Sequence, residues 1–189
     1  MSVSVGVSLI SILGAFAMTS DEWHESLKPH ATAIGFVCIK WAWLEMIVEV
    51  FANHLCGLEI GAIESQVLGP NIDFRAKIAI VRHLASAKRL SDDWYSSLLE
   101  IDNKIRIDRN RIVHDIWNPP DGRFEHPTRT HARTKQTKPQ ARRPALLTTH
   151  EVVEMPVSDI VAIGNAITAA SNQLLDLGKM MPAWPSNTA

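Results

Sequence analysis

Three residues suited to proton transfer and phosphate chemistry lie within six positions of one predicted helix: Arg109, Asn110 and His114. Histidine can take or give a proton near neutral pH. A guanidinium stays protonated and binds two phosphate oxygens at once, so Arg109 could stabilise negative charge on a phosphate. Asn110 precedes His114 by one helical turn and could orient the imidazole or hold a phosphate oxygen. Such a set could perform general acid or base chemistry beside a bound phosphate.

Two of these residues also have a purely structural interpretation. Arg109 could neutralise Glu45 or Glu49 at the edge of the core, and we give that ion pair the same weight as catalysis. His114 could be favoured near the end of its helix by the helix dipole. On an ideal helix the side chains of Arg109 and His114 point about 140° apart, so they do not share one face.

The helix that carries these residues has strong sequence signals at both ends. Ser91 can cap it, and Asp92 and Asp93 follow where the helix dipole favours negative charge. The Pro119-Pro120 pair forbids continuation and predicts the end. Apolar residues recur along the helix every three or four positions, as in a stripe that faces a core: Trp94, Leu98, Ile101, Ile105, Ile112 and Ile116.

Three other segments have helical periodicity, and no run of alternating residues is long enough for a sheet. The first covers residues 30–56 and stops at Gly57. The second opens at Asp73, and the last follows Pro156 and ends before Pro182. We therefore predict an all-α fold. The expected core positions of the last two segments are Phe74, Ile78, Val81 and Ala85, then Ile160, Ile163, Ile167, Ala170, Leu174, Leu177 and Met181.

The net charge of the whole chain is only −1, so any attraction for a phosphate must come from a local basic patch. The outer face of the second helix is basic, and residues 118–149 contain seven basic residues, two acidic ones and five prolines. We expect this segment to be a long loop or hairpin, either an arm that contacts nucleic acid or a floppy insert. Arg123–Glu125 could pair with Leu146–Thr149. The predicted RNA-binding residues are Arg75, Lys77, Arg82, Arg111, Arg123, Arg129 and Arg133.

The length of 189 residues suits one domain. We assign residues 18–181 to that domain and residues 182–189 to a tail. Residues 1–17 form an apolar leader that we place outside the fold. A secretory signal requires a Lys or Arg before its apolar run, and this leader has none. An over-long start or disorder therefore explains the leader as well as targeting does.

Several classes of protein are disfavoured by the remaining residues. The apolar stretch Ile34–Cys56 contains charged residues, which argues against a membrane span. Cys38 and Cys56 are too far apart on one helix to bridge within it, so we expect reduced thiols in a cytoplasmic protein. Because no cluster of histidines, cysteines or carboxylates has metal-ligand spacing, we expect no metal and no cofactor.

Arg109, a small polar residue at 110, three further positions and His114 stand late in a long helix of a predicted all-α domain. This pattern resembles the signature of the HEPN superfamily, in which a histidine follows an arginine closely in the penultimate helix. The resemblance covers roughly residues 20–181, although its diagnostic part is six residues long. It implies an up-and-down bundle of four or five helices, in which motif residues of two protomers converge at a two-fold interface.

The resemblance implies a metal-independent endoribonuclease, with His114 as general acid or base, Arg109 as electrostatic stabiliser and Asn110 as positioning group. RNA would be the substrate, and a second copy of the chain would be a partner. Many such proteins are toxins or phage-defence effectors, so an antitoxin protein is a further expected partner. The alternative is a non-catalytic helical dimer that binds RNA or a protein. A third interpretation is an unrelated helical bundle in which the Arg109–His114 pattern arises by chance.

Overall fold

The computed structural model describes residues 19–59, 63–65, 72–118, 126–136 and 146–181. The predicted leader, the Pro119-Pro120 pair, Arg123 and the predicted tail lie outside these ranges. In chain order the elements are α1 (Ser20–Cys56), α2 (Phe74–Ala87), α3 (Asp92–Glu100), a π-helical turn (Ile101–Ile105), α4 (Arg106–His114), β1 (Ile116–Asn118), β2 (Thr128–Gln136), β3 (Leu146–Glu154) and α5 (Val157–Lys179).

The chain divides into two compact units. The first unit takes its described residues from 19–34 and 111–160, and the second takes them from 35–110 and 161–181. Helices predominate over the described residues, which confirms the expected helical class in outline. A three-stranded sheet accompanies them, so the prediction that no sheet would form was wrong.

Helix α1 begins ten residues before its predicted start. The backbone N–H of Thr19 donates to Glu22 Oε2 at 2.9 Å, and the N–H of Glu22 donates to Thr19 Oγ1 at 3.3 Å. This reciprocal capping box satisfies two N–H groups that a helix start leaves unpaired. The hydrogen bonds from Thr19 lower the pKa of the Glu22 carboxyl. The helix contains Pro29 and continues through it.

The end of α1 is as predicted. Gly57 has a φ of 74°, its N–H donates to the His54 carbonyl at 3.0 Å, and the Leu58 N–H donates to Asn53 at 2.9 Å. These two bonds form a Schellman motif, which needs a left-handed residue after the helix. Glycine adopts that conformation without steric cost.

The core of the second unit lies where α1, α2 and α3 pack together. The rings of Phe51 and Trp94 meet edge to face at 4.5 Å, and those of Trp41 and Phe74 lie 4.6 Å apart. The stripe predicted on α2 is confirmed at Ile78, Val81 and Ala85, with Phe74 half-buried. The stripe predicted on α5 is buried at Ile167, Ala170, Leu174 and Leu177, and Ile163 is half-buried; Met181, just beyond the end of the helix, is buried as well.

Residues 92–114 form one continuous helical run, because α3, the π-helical turn and α4 follow without a break. The predicted apolar stripe is buried from Trp94 to Ile112. The prediction is wrong for the last residue of the stripe, because Ile116 is 67% exposed. The helix ends at His114 rather than at the prolines, and Ile116 belongs to β1.

The sheet has the order β1-β2-β3 with both pairs antiparallel. Leu146–Thr149 pair with Arg133–Gln136, whereas Arg123–Glu125, their predicted partner, lies outside the described residues. Threonines at 128, 130 and 134 alternate along β2, and β-branched residues in this spacing favour a strand. The segment predicted as a long basic loop or hairpin therefore contains a hairpin of two nine-residue strands.

In the first unit, a buried ion pair joins the end of α4 to the sheet. Arg129 Nη1 lies 2.6 Å from Asp115 Oδ2, and the two side chains are only 12% and 3% exposed. Trp117 Nε1 donates to the Ile112 carbonyl at 2.9 Å. These contacts fix β1 and β2 against the last turn of the helix. Separately, no helix in the described part of the chain is both long and apolar enough to cross a membrane.

Candidate functional site

Arg109 is held at the surface of the second unit's core by an aromatic ring. Its guanidinium carbon lies 5.4 Å from the centre of the Trp41 ring, a cation–π contact. Its Nη1 donates to Asn110 Oδ1 at 3.0 Å. Within the described ranges no carboxylate pairs with Arg109, and its buried Nε has no hydrogen-bond partner. The guanidinium keeps its positive charge without a neutralising acid.

The expected structural alternative for Arg109 was an ion pair with Glu45 or Glu49. Glu49 instead accepts from Lys77 Nζ at 2.6 Å. Nothing in the residue spacing singles out Trp41 as the partner of Arg109. Only the packing of α1 against the later helical run shows it.

Asn110 precedes His114 by one turn of α4, as the sequence predicted. Its amide oxygen accepts from Arg109. The amide nitrogen is therefore the group that remains to donate, either to the imidazole or to a ligand oxygen.

His114 is the last residue of α4, and its side chain is exposed. Over the described residues it makes no hydrogen bond and no ion pair with another side chain. An accessible imidazole at a helix end can exchange protons with a bound substrate. The same position fits the structural alternative, in which the helix dipole favours a histidine.

Two of the predicted RNA-binding residues form short ion pairs, each 2.6 Å long, with carboxylates. Lys77 pairs with Glu49 and is 13% exposed, and Arg129 pairs with Asp115 in the first unit. Both ion pairs join elements of the fold. Neither cation can meet a phosphate without breaking an internal contact.

The other predicted RNA-binding residues differ in their surroundings. Arg75 is 74% exposed and lies 3.9 Å from Asp102, which also binds Arg106. Arg82 stacks on Tyr95. Arg111 is half-buried on α4. Arg123 lies outside the described residues, and for Arg133 only the backbone is described, in β2.

The comparisons give no relative from which a role could be transferred. No family model, no curated protein and no solved structure matches the chain. Over the described residues, no group of three or more histidines, cysteines or carboxylates is arranged to hold a metal ion.

Proposed function

We propose that this protein is a metal-independent endoribonuclease of the HEPN type. The observation that carries the proposal is on α4, where an exposed imidazole at His114 stands one turn after an Arg109–Asn110 pair whose guanidinium has no acid partner in the described chain. A structural arginine in this position would be expected to neutralise a carboxylate. An arginine held by a ring and an amide keeps its charge available for a phosphate.

The proposed reaction is a transesterification within the RNA. The 2′-oxygen attacks the adjacent phosphorus, the new P–O2′ bond forms, and the bond from phosphorus to the 5′-oxygen breaks. One proton leaves the 2′-hydroxyl and one is delivered to the departing 5′-oxygen, and His114 serves in one of these transfers. Arg109 stabilises the extra negative charge on the pentacoordinate phosphate, and the free amide of Asn110 donates to a phosphate oxygen.

The HEPN resemblance also suggests a biological setting. We extend the proposal to a toxin or phage-defence effector whose expression inhibits growth and whose activity an antitoxin protein restrains. Of the expected cations, Arg75, Arg82 and Arg111 remain available to contact RNA phosphates.

The test is cleavage of single-stranded RNA by the purified protein and by His114→Ala. We expect products with 2′,3′-cyclic phosphate and 5′-hydroxyl ends, persistence of cleavage in chelator, and resistance of the matching DNA. His114→Ala should lose at least about 100-fold in rate, with unchanged helical content because the side chain is exposed. His83→Ala, an exposed histidine on α2, is the matched control and should cleave normally.

Arg109 needs a variant that separates chemistry from folding, because Arg109→Ala removes the packing on Trp41. Arg109→Lys keeps the charge but loses the planar fork. We expect it to melt near the wild-type temperature and to cleave far more slowly. Full activity of Arg109→Lys and His114→Ala, or chelator-sensitive cleavage that leaves a 3′-hydroxyl, would contradict the proposal.

One observation favours the second candidate, a helical module that assembles with a second copy of itself. In the second unit, α1 exposes four large apolar side chains at successive three- and four-residue steps. Their exposed fractions are 60% for Phe36, 68% for Ile39, 52% for Trp43 and 47% for Met46. We call these four residues the apolar stripe. A surface of this kind is characteristic of an interaction site.

The chemistry of the apolar stripe fits a second copy of the chain. A two-fold interface brings the same residues together from both copies, and no ionisable residue lies in the stripe to repel its counterpart. At roughly 200 Å² for each large side chain, the four expose about 450 Å² in one copy. A dimer through them would bury about 900 Å², close to the lower limit of roughly 1,000–1,200 Å² for specific interfaces. We therefore expect reversible, concentration-dependent association.

A further inference from the structure

A cleft of about 280 Å³ lies in the second unit, between the last turn of α2 and the first turn of α3. Its lining includes Arg82 and Arg89 from the α2 side and Ser91, Asp92 and Tyr95 from the α3 side. The volume lies just below the lower limit of roughly 300 Å³ for small-molecule sites and is about the size of one nucleotide unit. None of these residues belongs to the Arg109–His114 motif.

Arg82 is fixed in the cleft by an aromatic residue. Its guanidinium carbon lies 4.7 Å from the centre of the Tyr95 ring, and its Nη2 donates to the Tyr95 hydroxyl at 2.9 Å. No carboxylate of the described residues pairs with it. Its buried Nε has no hydrogen-bond partner there either. The cation is thus positioned but not neutralised.

Arg89 occupies a backbone position that normally favours glycine. It has a φ of 56°, its N–H donates to Ser86 at 3.0 Å, and the N–H of Leu90 donates to Ala85 at 2.9 Å. These bonds form a Schellman motif like the one at Gly57. A side chain in the left-handed region costs about 1–2 kcal/mol relative to glycine. Strained backbone positions cluster at binding sites, and this one lines a cleft.

The α3 side of the cleft supplies hydrogen-bonding groups. Ser91 stands at the N-cap of α3 but makes no capping hydrogen bond with its side chain. Asp92 lines the cleft without pairing with either arginine at ion-pair distance. A carboxylate would disfavour a simple anion, yet it readily accepts hydrogen bonds from ribose hydroxyls. Two cations and one acceptor therefore match a ligand that joins a phosphate to a sugar.

We propose that this cleft binds a nucleoside phosphate, either as a free nucleotide or as one unit of a single-stranded RNA. The phosphate contacts Arg82 and Arg89, and the ribose hydroxyls contact Asp92. The base packs on the exposed part of Tyr95, which is 49% accessible. This site is separate from the proposed nuclease motif and does not require it, although an RNA occupant would make it a substrate-holding site for that activity.

The test measures binding of the four ribonucleoside monophosphates and of a short single-stranded RNA, all in the His114→Ala background so that RNA stays intact. Arg89→Gly is the decisive variant, because glycine relieves the backbone strain. We expect it to melt no lower than its parent and to bind about tenfold more weakly, the effect of losing one charged hydrogen bond. Arg82→Gln should weaken binding similarly. Lys179→Gln removes one charge from an exposed position on α5 and should bind normally.

The two sources of ligand give different results. If the monophosphates bind and Arg89→Gly weakens them, a free nucleotide is the ligand. If only RNA binds and Arg89→Gly weakens it, the cleft holds one unit of the strand. In either case the parent should prefer ribose over deoxyribose, and Asp92→Asn should remove that preference.

The proposal is overturned if neither nucleotide nor RNA binding changes in Arg89→Gly and Arg82→Gln, or if inorganic phosphate competes as well as the nucleotides do. These outcomes are independent of the nuclease proposal. Loss of cleavage in His114→Ala with intact Arg89-dependent binding supports both sites. If the wild-type protein binds these ligands but cleaves no RNA, the cleft proposal is supported and the nuclease proposal is contradicted.

Discussion

At the scale of single residues, the clearest chemical constraint outside the two proposed sites is on His30. This residue is 5% exposed in the first unit, and its Nε2 lies 3.0 Å from the Met155 carbonyl. A carbonyl can only accept, so Nε2 carries the proton and Nδ1 is the bare nitrogen. Nδ1 is buried with no partner in the described chain. Protonating it would create a buried donor with nothing to bind.

This arrangement predicts a loss of stability in mild acid. Burial lowers the pKa of His30 below its ordinary value of 6.5, the bond to Met155 opposes the shift, and His126 adds to it. In the interval below 6.5 the unfolded chain binds a proton that the folded chain does not, so unfolding becomes easier as the pH falls. Above 6.5 the stability is fully present. Thermal melts across this interval should show the decline, and His30→Gln, which can still donate to Met155, should flatten it. An equal decline in His30→Gln would assign the effect to other groups.

At the scale of elements, two helix starts provide a matched comparison of capping. Asp73 accepts from the Ala76 N–H at 2.9 Å at the start of α2, whereas Ser91 occupies the corresponding position of α3 without such a bond. Asp73→Ala should therefore cost about 0.5–2 kcal/mol of unfolding free energy, and Ser91→Ala should cost much less. Denaturant unfolding of both variants measures the difference. Equal losses would mean that the hydroxyl of Ser91 caps α3 in solution.

At the scale of the whole molecule, the apolar stripe of α1 predicts self-association. Sedimentation equilibrium should show a monomer–dimer equilibrium with a dissociation constant in the micromolar range, about what a small interface supports. Trp43→Glu places a charge in the middle of the stripe and should yield a monomer with normal helical content. Gln173→Glu adds the same charge at an exposed position of α5 and should leave the dimer intact. A wild-type monomer at high micromolar concentration would exclude the stripe as an interface between copies.

Association and catalysis can be tested together. The HEPN resemblance implies a cleft composed of motif residues from two copies, so Trp43→Glu should lose RNA cleavage along with the dimer. If the monomeric variant cleaves normally, a single copy contains the complete site, and the stripe serves another purpose.

Most of the helical content could be predicted from the sequence, because local chemistry determines it. Gly57 permits the left-handed stop of α1, Asp73 caps α2, and the three- and four-residue spacing of apolar residues marks the buried faces of α2, α3 and α5. Misplaced boundaries came from competing local signals. The predicted start of α1 at residue 30 missed the Thr19–Glu22 capping box, and the Pro119-Pro120 pair indicated a later helix end than the observed one at His114.

The partners of the charged side chains were decided only by the tertiary structure, because charge pairing depends on which elements meet. The sequence predicted Lys77 and Arg129 as RNA-binding residues and Arg109 as a catalytic residue, but it did not show which side chains they would meet. Folding neutralises Lys77 with Glu49 and Arg129 with Asp115, while Arg109 meets the ring of Trp41 and keeps its charge. The cleft that joins Arg82, Arg89 and Asp92 arises in the same way, since it needs the end of one helix to face the start of the next. Residue spacing along the chain determines helices, whereas the contacts that free or neutralise a charge exist only after those helices have packed.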